Sequence, residues 1–208
     1  MGTESKTARR VAPVSPFSQL TQLVDQSDAA VHARFGAFRL SSAFQPVFSL
    51  SHRRVVGHEA LMRARRGEQS VSPLGVFDSA VSDEETTLLD RLCRLMHVRN
   101  YTAVADGWLF LNVSPVVTLT DIGADMFFHE LLESVQLPPH RIVVELLEDA
   151  VPHDSALRQS LDAYRAQGCL IAIDDFGAGS SNFDRIWRLR PDIVKLDRSI
   201  VVEAAENR

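Results

Sequence analysis

The chain has 208 residues, of which 45% are hydrophobic and 24% are charged, and this composition is typical of one ordinary folded domain with a sizeable core. Its formal net charge of −5 argues against binding to nucleic acid polymers, because such proteins neutralise phosphates with a basic face. The apolar runs are far shorter than the roughly 20 residues that span a bilayer, and no apolar stretch follows the charged first residues. We therefore expect a cytoplasmic protein with no membrane segment and no secretory signal.

The predicted elements begin behind an N-terminal tail. Residues 1–16 are rich in Ser, Thr, Arg and Pro without a hydrophobic period, which predicts a flexible tail and places the folded domain over residues 17–208. Apolar residues recur at helical spacing over residues 17–24 and predict an amphipathic helix that leads into the domain. Six short apolar runs then predict strands, over residues 44–50, 55–62, 108–113, 142–146, 170–173 and 193–196. Helical patterns separate them, over residues 74–105, 124–135, 155–167 and 181–189.

Alternating strands and helices at this spacing predict an α/β fold with a parallel sheet, which is either a doubly wound layer or a barrel. The period of the pattern does not choose between the two. Nearly every predicted strand ends in, or is followed by, Glu, Asn, Asp or Lys. In a parallel barrel the C-terminal strand ends converge on one mouth, where active sites are built, so the polar residues favour a barrel.

Ionisable and amide side chains at these strand ends are the candidates for chemistry. In chain order they are Glu59, Asn112, Glu145, Glu148, Asp174, Asp175 and Lys195. An ionisable group in an apolar strand is costly to bury unless it is paired or coordinated, and carboxylate and amide oxygens are ligands that Mg²⁺, Mn²⁺ or Ca²⁺ prefer. With only Cys93 and Cys169 in the chain and no cluster of His and Cys, zinc is not indicated. Each carboxylate alone is more simply explained as a salt-bridge partner or a helix cap.

The least ordinary element is the pair Asp174 and Asp175, which is followed by Phe-Gly-Ala-Gly. Glycines permit a tight loop and backbone conformations that are closed to other residues. The alternative is a plain strand-to-helix turn with an Asp as its cap.

Six motifs in a fixed order connect these candidates. They are FQPVFSL, GHEALMR, LFLNVSP, VELLE, DDFGAGSSNF and PDIVKLDRS, and they extend from Phe44 to Ser199. The series resembles the motifs of the EAL-domain family, whose name is contained in HEALMR. The resemblance implies a TIM-like barrel, modified in its first strand, that binds the bacterial second messenger cyclic di-GMP across its mouth and opens one phosphodiester to give linear pGpG.

The resemblance also implies roles for individual residues. Two divalent cations, Mg²⁺ or Mn²⁺, are expected on Glu59, Asn112, Glu145, Asp174 and Asp175, with Asp175 between the metals. Lys195 resembles the family lysine that contacts the attacking water, so Lys195, Glu59 and Asp175 are the expected catalytic residues. Matches to substrate-contacting positions are Gln45, Leu61 and Arg63. For Leu61 a place in the core, and for Gln45 a polar position at a strand edge, are the alternatives.

Glu148 resembles the glutamate that supports the loop over residues 176–183, near which family members often form homodimers. Trp187 and Leu189 could belong to such an interface, although burial in a helix explains them equally well. For Glu148, the alternative is a carboxylate at a helix N-terminus.

Two departures from the family pattern bear on activity. Leu147 stands where the family usually has Thr between its two glutamates. After Lys195 the family continues through two more strands, with a further metal-ligand glutamate and a Gln-Gly motif, so the sequence predicts an incomplete barrel of about six strands with an unpaired edge. The alternative function is therefore a catalytically inactive EAL-type receptor for cyclic di-GMP, or a protein-interaction module.

Overall fold

The computed structural model describes residues 16–27, 30–102, 107–114, 124–147, 155–177 and 189–206. Its first part is mostly antiparallel. Helix α1 (Pro16–Leu20) and a 3₁₀ turn (Thr21–Leu23) precede five strands, which are β1 (Val24–Ser27), β2 (Ala30–Phe35), β3 (Phe38–Ser49), β4 (Arg54–Arg66) and β5 (Gln69–Val71). Each of the first four pairs antiparallel with the next, and β5 folds back onto β4.

The second part alternates helices and strands. Helices α2 (Pro73–Phe77) and α3 (Asp83–Thr102) lead to β6 (Trp108–Asn112), and α4 (Ala124–Val135) with a 3₁₀ turn (Pro139–Arg141) leads to β7 (Ile142–Leu147). Helix α5 (Ser155–Ala166) precedes β8 (Leu170–Phe176), and β9 (Ile193–Leu196) precedes α6 (Arg198–Glu206). No described helix is both long enough and apolar enough to cross a membrane.

One nine-stranded sheet contains all described strands. Its order is β1-β2-β3-β4-β6-β7-β8-β9, with β5 beside β4, and the pairs from β4 to β9 along this path are parallel. Over the described residues the path is open, with β1 at one end and β9 at the other. The predicted α/β fold with a sheet that does not close is therefore confirmed over the described residues. The predicted parallel pairing holds from β4 to β9 along the path, whereas β1 to β5 pair antiparallel, so the sheet is mixed.

The two faces of the parallel strands have different partners because successive side chains in a strand point to opposite faces. One face packs against the helices and forms the main core, to which the strands contribute Ala60, Met62, Leu109, Leu111, Ile142, Val144, Ile171 and Ile173. The other face carries a small second cluster of Phe110, Val143 and Ala172, all fully buried. We call this second side of the sheet the site face, because the candidate residues follow these three at intervals of two.

The structure corrects five details of the predicted elements. The helix expected over residues 17–24 ends in a 3₁₀ turn, and Val24 already begins β1. The strand expected over residues 44–50 starts at Phe38, and β1, β2 and β5 were not predicted. The helix expected over residues 74–105 is two helices, and the strand expected over residues 170–173 extends to Phe176. The helix expected over residues 181–189 lies outside the described residues except for its last position.

Local capping explains the break between α2 and α3. The side chain of Ser72 accepts a hydrogen bond from the N–H of Gly75 at 3.1 Å, which starts α2. At the start of α3, Ser82 Oγ accepts from the N–H of Glu85 at 3.3 Å, and Glu85 Oε2 accepts from the N–H of Val81 at 2.8 Å. A Ser followed three residues later by Glu is a capping box, so a new helix begins there.

Candidate metal centre

Lys195 is surrounded by three carboxylates from three other strands. Its Nζ lies 2.8 Å from Glu59 Oε2 of β4, 2.6 Å from Glu145 Oε1 of β7 and 3.0 Å from Asp174 Oδ2 of β8. The four residues are far apart in the sequence, and the parallel register of their strands brings them together at one end of the site face. The prediction that residues at successive strand ends would lie close together is confirmed for this group.

Asn112 joins the same group from β6. Its Nδ2 donates to Glu59 Oε1 at 3.0 Å, and its backbone is in register with Glu145. Gly57 brings β4 close to β6, because a Cβ at this position would lie only 2.1 Å from the carbonyl oxygen of Trp108. Steric contact therefore explains the glycine two residues before Glu59, because the absence of a side chain there allows the two strands to pair.

The cluster carries excess negative charge in a place that is largely closed to water. The side chain of Glu145 has no exposed surface, and those of Glu59, Asp174 and Lys195 are each 14% exposed. When all four groups are ionised, three carboxylates and one ammonium leave a net charge of −2. Buried charge of one sign must be neutralised by protons, by further partners or by a cation.

The pKa values reflect this imbalance. Burial raises the pKa of Glu145 to about 8; the ammonium of Lys195 works against this rise, and the negative charges of Glu59 and Asp174 add to it. For Lys195, burial alone would lower the pKa, but Glu145 and Glu59 outweigh it and raise the pKa above its ordinary value. The lysine therefore stays charged, and the raised pKa means that Glu145 holds a proton more readily than an ordinary glutamate does.

The donor set fits a hard divalent cation. One oxygen each from Glu59, Glu145 and Asp174 can be chosen so that all three lie within 4.8 Å of one another. Glu145 Oε2 is buried and has no hydrogen-bond partner among the described residues. A divalent cation would balance the net charge of −2 and would give this oxygen a partner, and oxygen ligands are those that Mg²⁺, Mn²⁺ and Ca²⁺ bind.

Asp175 lies beside this group and is exposed. Its φ of 54° is in the left-handed region, and the pairing of β8 with β9 shifts register between Ile173 and Phe176. Such an irregularity breaks the alternation of a strand and re-aims a side chain, which allows two successive Asp residues to serve one site. Partial burial, followed by the negative charges of Asp174 and Asp197, raises the pKa of Asp175.

The three predicted substrate-contacting residues flank the centre on β3 and β4. Gln45 is exposed and directly opposite Glu59 in the antiparallel register. Leu61 and Arg63 follow Glu59 at intervals of two, so they lie on the site face of β4. The Nη1 of Arg63 donates to the carbonyl oxygen of Met62 at 3.1 Å, and its side chain is exposed. They border the carboxylate cluster without being part of it.

Several predicted residues cannot be placed. Glu148 and Trp187 lie outside the described residues, as does the loop over residues 176–183 after its first two positions. The backbone of Leu147 pairs with Asp174 at the end of β7.

Two acidic residues near the centre were not singled out from the sequence. Asp197 Oδ1 accepts a hydrogen bond from the N–H of Ser199 at 2.8 Å and another from the Ser199 hydroxyl, so it caps α6 directly after the strand of Lys195. Asp90 is buried on α3, where an acidic residue within the apolar stripe was a visible signal.

Comparisons with known proteins agree with the motif series. The sequence profile of the EAL domain matches residues 28–208. The Bacillus subtilis protein named Uncharacterized EAL-domain containing protein YkuI is 34% identical over 161 residues, which are 74% of this chain and 39% of YkuI. The Escherichia coli protein named Probable cyclic di-GMP phosphodiesterase PdeB is 28% identical over 197 residues, which are 90% of this chain and 35% of PdeB. The chain thus spans well under half the length of these relatives.

A solved structure has the same fold. Klebsiella pneumoniae BlrP1, in a complex with manganese and cyclic di-GMP, superposes with a TM-score of 0.68 at 27% sequence identity. The match covers 79% of this chain and 42% of the BlrP1 chain.

Proposed function

Because the chain belongs to the EAL-domain family, we propose that its site face binds cyclic di-GMP and hydrolyses one phosphodiester bond to give linear pGpG. The observation that carries this proposal is the convergence of Glu59, Glu145, Asp174 and Lys195 on one point of the site face. The name of PdeB and the ligands of BlrP1 support the same substrate and a need for divalent metal. The reaction would lower the level of a signalling molecule.

The residues that would hold Mg²⁺ or Mn²⁺ are Glu59, Asn112, Glu145, Asp174 and Asp175. Two such ions, when bound, supply a water of lowered pKa and stabilise charge on the attacking and leaving oxygens. Support for the ligand set comes from the close approach of three carboxylate oxygens, the unpartnered buried Oε2 of Glu145 and the net charge of −2.

Lys195 has two tasks in this proposal. Its ammonium holds the three carboxylates at hydrogen-bond distance, and its raised pKa keeps it positive at neutral pH. An ammonium has three N–H donors and all three face carboxylates here, so Nζ could donate to the oxygen of the attacking water where a bound cation takes over one of these carboxylates. On the same site face, the packed side chains of Phe110, Val143 and Ala172 exclude bulk water from the region next to the carboxylates.

Substrate orientation would come from the flanking residues. Arg63 lies four positions after Glu59, about 13 Å along an extended strand, and this separation supports a contact with a second phosphate of the ligand. Guanidinium groups suit phosphate because they donate two parallel hydrogen bonds. Gln45 and Leu61 would contact the same ligand, and Glu148 would support the loop after Asp175.

A second candidate function is a cyclic di-GMP receptor without catalysis. The specific observation in its favour is that Lys195 already engages all three carboxylates of the compact group, so a cation must compete with the ammonium for them. Leu147, where the family has Thr, is a further departure from the catalytic pattern.

The test is to incubate the chain with cyclic di-GMP and Mn²⁺ or Mg²⁺, and to measure pGpG by chromatography. Glu59→Gln keeps the size of the side chain and removes its charge, and Glu68→Gln is the matched control because Glu68 is fully exposed on the turn after β4. We expect pGpG from the wild type and from Glu68→Gln, none from Glu59→Gln, and none with a metal chelator.

Other results decide between the two candidates. Saturable binding of cyclic di-GMP without pGpG would favour the receptor. If the chain neither bound nor hydrolysed cyclic di-GMP, both proposed functions would be contradicted.

A further inference from the structure

Helix α3 carries ionisable side chains on its buried face. Asp90 is 3% exposed and Arg94 is 1% exposed, and both lie among the leucines that attach the helix to the sheet. A buried ion pair is often no more stabilising than apolar side chains of the same volume. Stability alone therefore does not explain the buried ion pair, and its contacts indicate another role.

Asp90 connects α3 to the strand end that carries Asn112. Its Oδ1 accepts a hydrogen bond from the backbone N–H of Ser114 at 3.0 Å, and its Oδ2 pairs with Arg94 Nη2 at 2.5 Å. Ser114 is two residues beyond Asn112. The N–H of Val113 still bonds to a strand partner, the carbonyl oxygen of Glu145, at 3.2 Å. The next N–H along the chain, that of Ser114, donates instead to the side chain of Asp90 on α3.

Arg94 fixes the direction of that carboxylate. Its Nη1 donates to the hydroxyl of Tyr164 on α5 at 3.0 Å, and its guanidinium carbon lies 5.6 Å from the ring centre of Phe127 on α4. The guanidinium is thus held by two further helices, and it holds Asp90 in turn. The end of β6 is tied through one carboxylate to three helices.

Two other polar residues of the same helix, His97 and Asn100, contact a different part of the fold. His97 Nδ1 lies 2.8 Å from Ser42 Oγ on β3. The side chain of Asn100 bonds to both the N–H and the carbonyl oxygen of Val31 on β2, at 2.7 and 2.8 Å. These contacts brace the N-terminal antiparallel strands, so they offer a control for effects on stability alone.

We propose that Asp90 is a positioning residue for the metal centre: by accepting the Ser114 N–H it fixes the end of β6 and holds the Asn112 amide against Glu59. The inference rests on the proposed function, because it takes Asn112 as a metal ligand. Groups that orient metal ligands commonly change metal affinity by about 10- to 100-fold when they are removed. For Asp90, which acts through the backbone, we expect the lower end, about tenfold.

Two double variants separate the hydrogen bond to Ser114 from the ion pair. Both Asp90→Asn/Arg94→Met and Asp90→Leu/Arg94→Met lack the ion pair, and neither leaves a buried charge alone. Asn and Leu are close in size, and only Asn keeps an oxygen that can accept from Ser114. Asn100→Ala is the control that removes buried hydrogen bonds of the same helix without touching β6.

Mn²⁺ affinity and amide exchange are measured on the full chain. We expect Asp90→Asn/Arg94→Met and Asn100→Ala to bind Mn²⁺ as the wild type does, and Asp90→Leu/Arg94→Met to bind it about tenfold more weakly. In that last variant the Ser114 amide should also exchange with solvent faster, as measured by NMR without metal.

Equal Mn²⁺ affinity in the two double variants, or unchanged exchange at Ser114, would overturn the role of Asp90. A wild-type chain that binds no Mn²⁺ would overturn the metal centre itself, and the role of Asp90 there with it.

Discussion

Replacing Lys195 by Met should destabilise the metal-free protein through the carboxylates that remain. The substitution keeps most of the apolar stem and changes the net charge of the ionised cluster from −2 to −3. Removing one partner of a buried ion pair costs about 3–5 kcal/mol, because the other charge is left uncompensated. The 14% exposure of Glu59 and Asp174 and proton uptake by Glu145 moderate this cost, so we expect the low end, about 3 kcal/mol.

The assay is urea unfolding followed by circular dichroism at pH 7.5 in the presence of a chelator. Arg65→Met is the matched control, because Arg65 pairs with Glu68 on the surface and the two side chains are 56% and 104% exposed. An exposed pair of this kind contributes about 0–1 kcal/mol. If Lys195→Met lost no more stability than Arg65→Met, the argument that the ammonium compensates a buried negative cluster would be refuted.

Two further predictions concern positions away from the chemistry. Burial lowers the pKa of His97 from 6.5 to about 4. Between these two pH values, His97 is protonated in the unfolded chain and neutral in the folded chain. The contribution of His97 to stability should therefore be level above pH 6.5 and fall by about 3 kcal/mol between pH 6.5 and 4. Because the raised pKa of Glu145 changes stability in the opposite direction over part of this range, the quantity to measure is the difference between the wild type and His97→Gln at each pH, by urea unfolding. Gly57→Ala should cost about 3 kcal/mol, because its Cβ would meet the Trp108 carbonyl oxygen at 2.1 Å. Gly75→Ala, whose nearest neighbour is a side-chain oxygen at 3.3 Å, should change thermal stability little.

The parallel half of the fold was predictable because its central strands are buried on both faces. Strands β6, β7 and β8 read as nearly continuous apolar runs, which is the pattern of parallel strands covered on both sides. The structural match to BlrP1 and the open strand order agree with the predicted incomplete barrel of the EAL type.

The antiparallel half was not predictable in the same way. Strand β1 mixes exposed polar residues with half-buried ones, β2 buries only Val31 and Ala33, and β5 has three residues, so none has a distinct apolar run. Their clearest signal is Gly36 between Phe35 and Phe38, which pair directly across a two-residue turn where Gly36 has a φ of 54°.

The residues of the carboxylate–lysine cluster could be predicted from the sequence, but the contacts between them could not. Glu59, Glu145, Asp174 and Lys195 could be selected because each interrupts or ends an apolar strand. That the ammonium would contact three carboxylates at once depends on the register of four strands, and Glu59 and Lys195 are 136 positions apart in the chain. An acidic residue within the apolar stripe of α3 indicates that Asp90 is unusual, but no spacing within α3 reveals its contact with the backbone of Ser114.

The charge of the centre explains why one lysine belongs among its carboxylates. Without Lys195, three carboxylates whose oxygens can lie within 4.8 Å of one another would have to take up protons before the chain could fold, and protonated carboxyl groups bind cations poorly. With the ammonium in place, the ionised cluster keeps a residual charge of −2, which is the charge that one divalent cation balances. In the proposed function, Lys195 would therefore let the cluster fold with carboxylates that a metal ion could bind, and its positive charge would remain beside the ligand. A neutral residue at position 195 would lose both effects at once.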